Sequence, residues 1–185
     1  STPNEVIAEV RKFIPQLQAE FPGLRVDFEG DAREQAETLA SLGRGFLLAL
    51  LAIYALMAIP FGSYFQPLIV MTAIPFGLVG AIWGHMILGF QLSIMSMLGL
   101  VALTGVVVND SIVLVDFVNR YRAMGRSVFE AAHQAGLQRF RPILLTTLTT
   151  VAGLTPLLLE RSVQARFLVP MGVSLAFGVL FSTFI

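Results

Sequence analysis

Val106-Val107-Val108-Asn109-Asp110-Ser111-Ile112-Val113-Leu114-Val115-Asp116 sets a carboxamide and a carboxylate inside an apolar run. The stretch around it, residues 92–118, exceeds the ~20 residues that cross ~30 Å of hydrocarbon as a helix. With Gly105 as its centre, Asp110 lies about 7 Å toward one face at a rise of ~1.5 Å per residue, inside the hydrocarbon. Asp116 lies about 16 Å from that centre, where water and Arg120 can reach it. An ionised carboxylate at the depth of Asp110 is costly unless it is paired, hydrated or neutralised by a proton. Groups kept at such a cost mark proton or ion pathways, or are held by hydrogen bonds within the fold. Both readings stand for the Asn109–Asp110 pair, whereas Asp116 reads as an interfacial anchor.

Four further apolar stretches flank this one, giving spans at about 45–61, 67–88, 92–118, 142–159 and 167–185. Across all 185 residues, 56% are hydrophobic and 13% charged, with a mean hydropathy of +0.78. A soluble domain carries roughly 25% charged residues. Five such stretches leave no polar shell to cover them, so they read as membrane spans and not as buried core helices. The fold class expected for residues 45–185 is an all-α transmembrane helical bundle.

The first 44 residues differ. They hold eight acids (Glu5, Glu9, Glu20, Asp27, Glu29, Asp31, Glu34, Glu37) and five bases (Arg11, Lys12, Arg25, Arg33, Arg44). Residues 3–20 read as an amphipathic helix with Val6, Val10, Ile14 and Leu17 on one stripe, Thr2 as cap, and Pro15 positioned to kink or shorten it. Pro22-Gly23 marks a turn, and Leu24, Val26 and Phe28 alternate with charged residues as a strand does. Residues 1–30 are thus expected to be the end of an α/β subdomain, since a lone strand leaves its edges unpaired. Asp31 and Glu34 suit a capping box opening a polar helix, 31–44, that runs straight into the membrane. The polar start without a signal-peptide layout and the stop at Ile185 within an apolar run are expected of a segment of a longer protein.

Orientation follows from charge. Residues 119–141 read as a loop with Arg120, Arg122, Arg126, Arg139 and Arg141 against Glu130 alone, which predicts a cytoplasmic location. Counting crossings back places residues 1–44 outside the cytoplasm. The short loop at 160–166 leans weakly the other way with Glu160, Arg161 and Arg166.

Small residues at fourfold spacing mark where helices approach closely: Gly77 with Ala81, Gly80 with Gly84, and Gly172 with Ala176, with room also at Gly99 and Gly105. Thr146, Thr147, Thr149 and Thr150 follow Arg139-Phe140-Arg141-Pro142. Each hydroxyl can bond its own helix backbone, or the group can line a hydrated path above Arg141. His85 and Trp83, near the outer end of the second span, read as interfacial residues. The sequence has no cysteine, and no metal-ligand cluster, phosphate-binding loop, nucleophile–base pair or nucleic-acid-binding pattern is legible in it. Asp110 and Asp116 differ by about 120° in direction on one helix, so they cannot face one another as an intramembrane protease pair does.

The run Gly99-Leu-Val-Ala-Leu-Thr-Gly-Val-Val-Val-Asn-Asp-Ser-Ile-Val-Leu-Val-Asp-Phe117, followed by Arg139-Phe-Arg-Pro-Ile-Leu-Leu-Thr-Thr147, resembles the second transmembrane half of resistance-nodulation-division efflux permeases of the acriflavine-resistance (hydrophobe-amphiphile efflux) type. Pro75-Phe-Gly-Leu-Val-Gly80, Gly84-His85 and Pro170-Met171 fit the same pattern. The resemblance implies helices eight to twelve of a twelve-helix permease, the twelfth cut short, with residues 1–30 the end of a periplasmic porter subdomain. It implies a multi-pass protein of the bacterial inner membrane, surrounded by lipid and completed by an N-terminal half of the same permease. Such permeases work as homotrimers with a periplasmic adaptor and an outer-membrane channel. They export drugs, amphiphiles or metal ions by proton antiport, with protons as the coupling ion, no cofactor and no enzymatic step. The candidate proton relay is then Asn109, Asp110, Arg141, Thr146 and Thr147. One departure matters: drug exporters of this type place a lysine where this chain has Asn109 and then Asp110. Asp110 therefore either takes protons itself or is balanced by Arg141. Two alternatives stay open, a related membrane component that assists protein translocation or assembly, and a proton-silent scaffold half.

Overall fold

A computed structural model describes residues 3–21, 31–160 and 162–185, and all the regular structure among them is helical. The helices are α1 (Pro3–Glu20), α2 (Asp31–Phe61), α3 (Phe65–Met71), α4 (Ile74–Leu88), α5 (Ile94–Ala123), α6 (Val128–Leu159) and α7 (Val163–Phe184). Five stretches are long and apolar enough to cross a membrane: Arg33–Phe61, Phe65–Leu88, Ile94–Ala123, Val128–Leu159 and Ala165–Phe184.

Two compact units divide the chain, Ser1–Leu48 and Ala49–Ile185. In the first, α1 continues through Pro15 without ending. The strand expected over Leu24–Phe28, the Thr2 cap and the Asp31 side chain lie outside the described residues, so the α/β character of this segment is not shown. The polar helix expected to enter the membrane without a break is α2, one helix from Asp31 to Phe61.

In the second unit, α7 is the central element, packing against α4, α5 and α6. One apolar cluster joins Met57 of α2, Val70 of α3, Ile74 of α4 and Val108 of α5. The other joins Ala81 of α4, Leu103 and Val107 of α5, and Val179 of α7. Contact at α7 is close enough to exclude side chains. A Cβ on Gly80 would meet the Phe181 side chain and come 2.7 Å from the Phe177 carbonyl oxygen. One on Gly84 would lie 2.5 Å from Phe177 Cγ, and one on Gly99 would lie 2.7 Å from the Met171 carbonyl oxygen. Gly77 and Gly172 face Val107 and Leu157 at 3.3 and 3.2 Å, and Ala81 and Ala176 are buried. Gly105 is different: open space surrounds it.

Two expectations about helix limits change. Residues 119–141 are mostly not loop, because α5 runs on to Ala123 and α6 starts at Val128, leaving a turn at 124–127. Arg120 and Arg122 suit the negative end of the α5 dipole. Gly125 takes the left-handed turn conformation (φ 85°). Ser127 and Glu130 form a capping box that starts α6 well outside its apolar part. The second span is also interrupted, its α3 and α4 parts separated at Thr72–Ala73. Pro75 has no N–H to offer the carbonyl of Met71, so the helix cannot pass through that turn regularly.

Gly80→Ala is expected to destabilise the membrane-inserted protein by roughly 1–3 kcal/mol, because one obstructing atom belongs to backbone and cannot rotate away. Gly43→Ala, on an exposed stretch of α2 with nothing within 4 Å, should be neutral or stabilising. Thermal unfolding of the solubilised protein compares the two. Equal melting temperatures would contradict the close packing of α4 on α7.

Candidate functional site

Asp110 lies on α5 and faces a cleft of about 240 Å³ between α5, α6 and α7. Val106, Val107, Leu114, Ile143 and Val179 make its walls apolar, and Ser111, Ser182 and Thr183 add hydroxyls. Each hydroxyl proton is already committed to a helix carbonyl. Ser111 Oγ donates to Val107 O at 2.9 Å, Ser182 Oγ to Val179 O at 3.0 Å, and Thr183 Oγ1 to Val179 O at 2.8 Å. What these groups turn toward the cleft is therefore lone pairs. Among the described residues, neither Asp110 nor Arg141 makes an ion pair.

The threonines divide. Thr146 donates to Pro142 O at 2.9 Å, Thr149 to Leu145 O at 2.8 Å and Thr150 to Thr146 O at 2.8 Å, so these three satisfy themselves on their own helix. Thr147 alone is buried, and its Oγ1 lies 2.6 Å from Thr183 Oγ1. Since Thr183 spends its proton on Val179 O, Thr147 is the donor of that pair. Thr147 thereby ties α6 to the cleft. Arg141 is exposed at the membrane edge of α6, two residues before Ile143. Asn109 is exposed on the face of α5 that also carries Ala102 and Gly105. Asp116 pairs with Arg120 at 2.8 Å, one helical turn on.

Trp83 is exposed, but His85 is only 3% exposed. Its Nδ1 lies 2.9 Å from Ala81 O, which can only accept, so Nδ1 carries a proton. Its Nε2 lies 2.8 Å from Ser96 Oγ, and in the neutral ring it accepts from that hydroxyl. Ser96 Oγ also accepts from Ser93 N at 3.1 Å, and Ser174 Oγ of α7 donates to Ser96 O at 3.1 Å. The group ties α4, α5 and α7 together at one end. A signal for it exists in sequence: His85 continues the Gly77–Ala81 stripe by one turn. No such signal marks Ser182 and Thr183, which only the packing of α7 brings to Asp110. Nor does one mark the paired amides of Gln66 and Asn119, joined by bonds of 2.8 and 3.1 Å. No cluster of His, Cys, Asp or Glu able to hold a metal ion occurs among the described residues.

Comparison with known proteins bears on the family and the fold. The model of the AcrB/AcrD/AcrF family matches residues 2–185. The swarming motility protein SwrC of Bacillus subtilis (strain 168) is 32% identical over 179 residues, covering 96% of this chain and 17% of SwrC. Two crystal structures of a heavy metal efflux pump share the fold. Each has a TM-score of 0.76 at 22% identity, covering 94% or 98% of this chain and 17% or 18% of the pump. The chain thus spans under a fifth of the length of these relatives. With its membrane-length helices and a family match along nearly its whole length, the chain belongs to the AcrB/AcrD/AcrF family of resistance-nodulation-division permeases.

Proposed function

We propose that this chain is the second membrane half of a proton-driven exporter of the bacterial inner membrane, and that Asp110 is a site of proton uptake in it. The observation that carries the reading is the cleft itself. It presents a carboxylate and hydroxyl lone pairs, and its hydroxyl protons are committed elsewhere. A proton, or a water bringing one, is the group that satisfies such a site. Neutralising Asp110 removes the need to keep water there and lets α5 draw nearer to α6 and α7. Thr147 and Thr183 carry that movement into α6, and the positive charge of Arg141 acts on the cleft from the membrane edge.

The exposed face of α5 supports a partner half. A carboxamide at the depth of Asn109 is costly against lipid, and Ala102 and Gly105 beside it allow a helix to approach closely. The N-terminal half of the permease is the occupant proposed. In this reading the assembled machine is a homotrimer acting with a periplasmic adaptor and an outer-membrane channel, and it exports drugs, amphiphiles or metal ions. Residues 1–44 lie in the periplasm, and the arginine-rich edge at 119–141 lies in the cytoplasm.

Asp110→Asn in the full-length permease is expected to reduce export to background while the protein still reaches the membrane. Export that keeps its wild-type rate and pH dependence would remove Asp110 from the proton path and leave the scaffold reading standing. For orientation, single cysteines replace Gln35 and Met124 in an otherwise cysteine-free protein. A membrane-impermeant thiol reagent should label position 35 from the periplasmic side, and position 124 only after the inner membrane is opened. The reverse pattern would overturn the topology.

A further inference from the structure

Gln66 and Asn119 hold one another by a closed pair of hydrogen bonds. Asn119 Nδ2 donates to Gln66 Oε1 at 2.8 Å, and Gln66 Nε2 donates to Asn119 Oδ1 at 3.1 Å. Both side chains are half-buried, the first at the start of α3 and the second near the end of α5. Neither lines the Asp110 cleft. Asn119 follows Asp110 by nine residues, which at ~100° per residue puts the two on opposite sides of α5. Val108, on the Asn119 side, clusters with Val70 of α3, whereas Asp110 faces the cleft shared with α6 and α7. Helix α5 thus lies between α3 on one side and α6 and α7 on the other.

The span made of α3 and α4 is not one rigid rod. Thr72 N divides between Leu68 O and Ile69 O, both at 3.1 Å, Ala73 N bonds Val70 O at 3.2 Å, and Pro75 has no N–H to donate. A step of three-residue bonds beside a proline is where a helix bends. Beyond this step α4 is fixed on α7 through Gly80 and Gly84. Before it, α3 meets α5 through apolar contacts and the amide pair. Apolar contacts exchange for lipid tails at little cost in a membrane, but parting the amides costs two hydrogen bonds. Tyr64, just before α3, accepts through its carbonyl from the Tyr54 hydroxyl of α2 at 3.2 Å.

We propose that Gln66 and Asn119 form the joint through which a shift of α5 at Asp110 reaches α3, with Thr72–Ala73 as the hinge. This role rests on the reading of Asp110 as the site of proton uptake. As α5 draws toward α6 and α7 it leaves α3, and the amide pair makes α3 follow, bending at the hinge while α4 stays on α7. The Tyr54–Tyr64 bond passes the displacement to α2, which is one helix from Asp31 to Phe61. The two amides are positioning residues, since neither meets the proton.

The test uses the full-length permease freed of other cysteines, with nitroxide labels at Ile69→Cys of α3 and Met86→Cys of α4, both exposed. Pulsed electron double resonance in membranes measures the distance between the labels at neutral and at acid pH. Acidification is expected to change it by about 1–2 Å, the size of a helix shift between two packings. Asn119→Leu should abolish the change. The exchanged pair, Gln66→Asn with Asn119→Gln, keeps both amides and should restore it, which a general folding defect would not allow. A change that persists in Asn119→Leu, or that the exchanged pair fails to restore, would overturn the joint and leave Asp110 untouched. A change lost in Asn119→Leu but kept in Asp110→Asn would support the joint and remove Asp110 as its trigger. No change in the otherwise unaltered labelled protein would overturn the movement itself.

Discussion

Lipid tails are as apolar as leucine, so no aqueous hydrophobic effect presses α4, α5 and α7 together once they are in a membrane. Close approach does it instead. Gly80, Gly84 and Gly99 lie against α7 with no room for a Cβ, and Gly178 of α7 returns the contact against Leu103 and the carbonyl of Gly77. These contacts bring backbone to backbone over many atoms, each worth little alone. The placing of the α7 hydroxyls against α5 follows from them. Ser182 and Thr183 reach Asp110 only because α7 lies this near α5, and Ser174 reaches Ser96 for the same reason.

Polar groups then lock what the small residues allow. A hydroxyl in hydrocarbon must bond something, and its own helix carbonyl is nearest. Most serines and threonines here do that, which makes the exceptions informative. Thr147 bonds across to Thr183, and His85 bonds across to Ser96. The first joins α6 to α7 beside the cleft, and the second joins α4 to α5 at the far end. The bundle is thus tied at the His85 end and also, beside the carboxylate, by the Thr147–Thr183 bond.

Much of this was legible in the sequence, and what was not has a definite cause. The membrane spans came from unbroken apolar runs, whose length alone separates them from core helices. Their ends did not, because Ala123 and Val128 continue or begin helices in polar sequence that hydropathy ignores. The Ser127–Glu130 capping box that starts α6 lies in the stretch read as loop and was passed over. The place of Asp110 within an apolar helix was legible from its position in its run. Its hydroxyl neighbours were not, since Ser182 and Thr183 lie some seventy residues away and their register against α5 depends on α7 packing. His85 was read as interfacial because it neighbours Trp83, yet the two side chains point in opposite senses. Trp83 is outside, while His85 follows Ala81 into the bundle. The carboxylate of Asp116 behaved as its distance from the centre implied, pairing with Arg120.

The central claim is that Asp110 gains and loses a proton while remaining inside the membrane. Infrared difference spectra of the full-length permease, recorded across a pH step in membranes, observe this directly through the stretch of a protonated carboxyl group. A carboxylic acid band that appears in the wild type and is absent from Asp110→Asn is the predicted result. Spectra that are identical in the two proteins would contradict it.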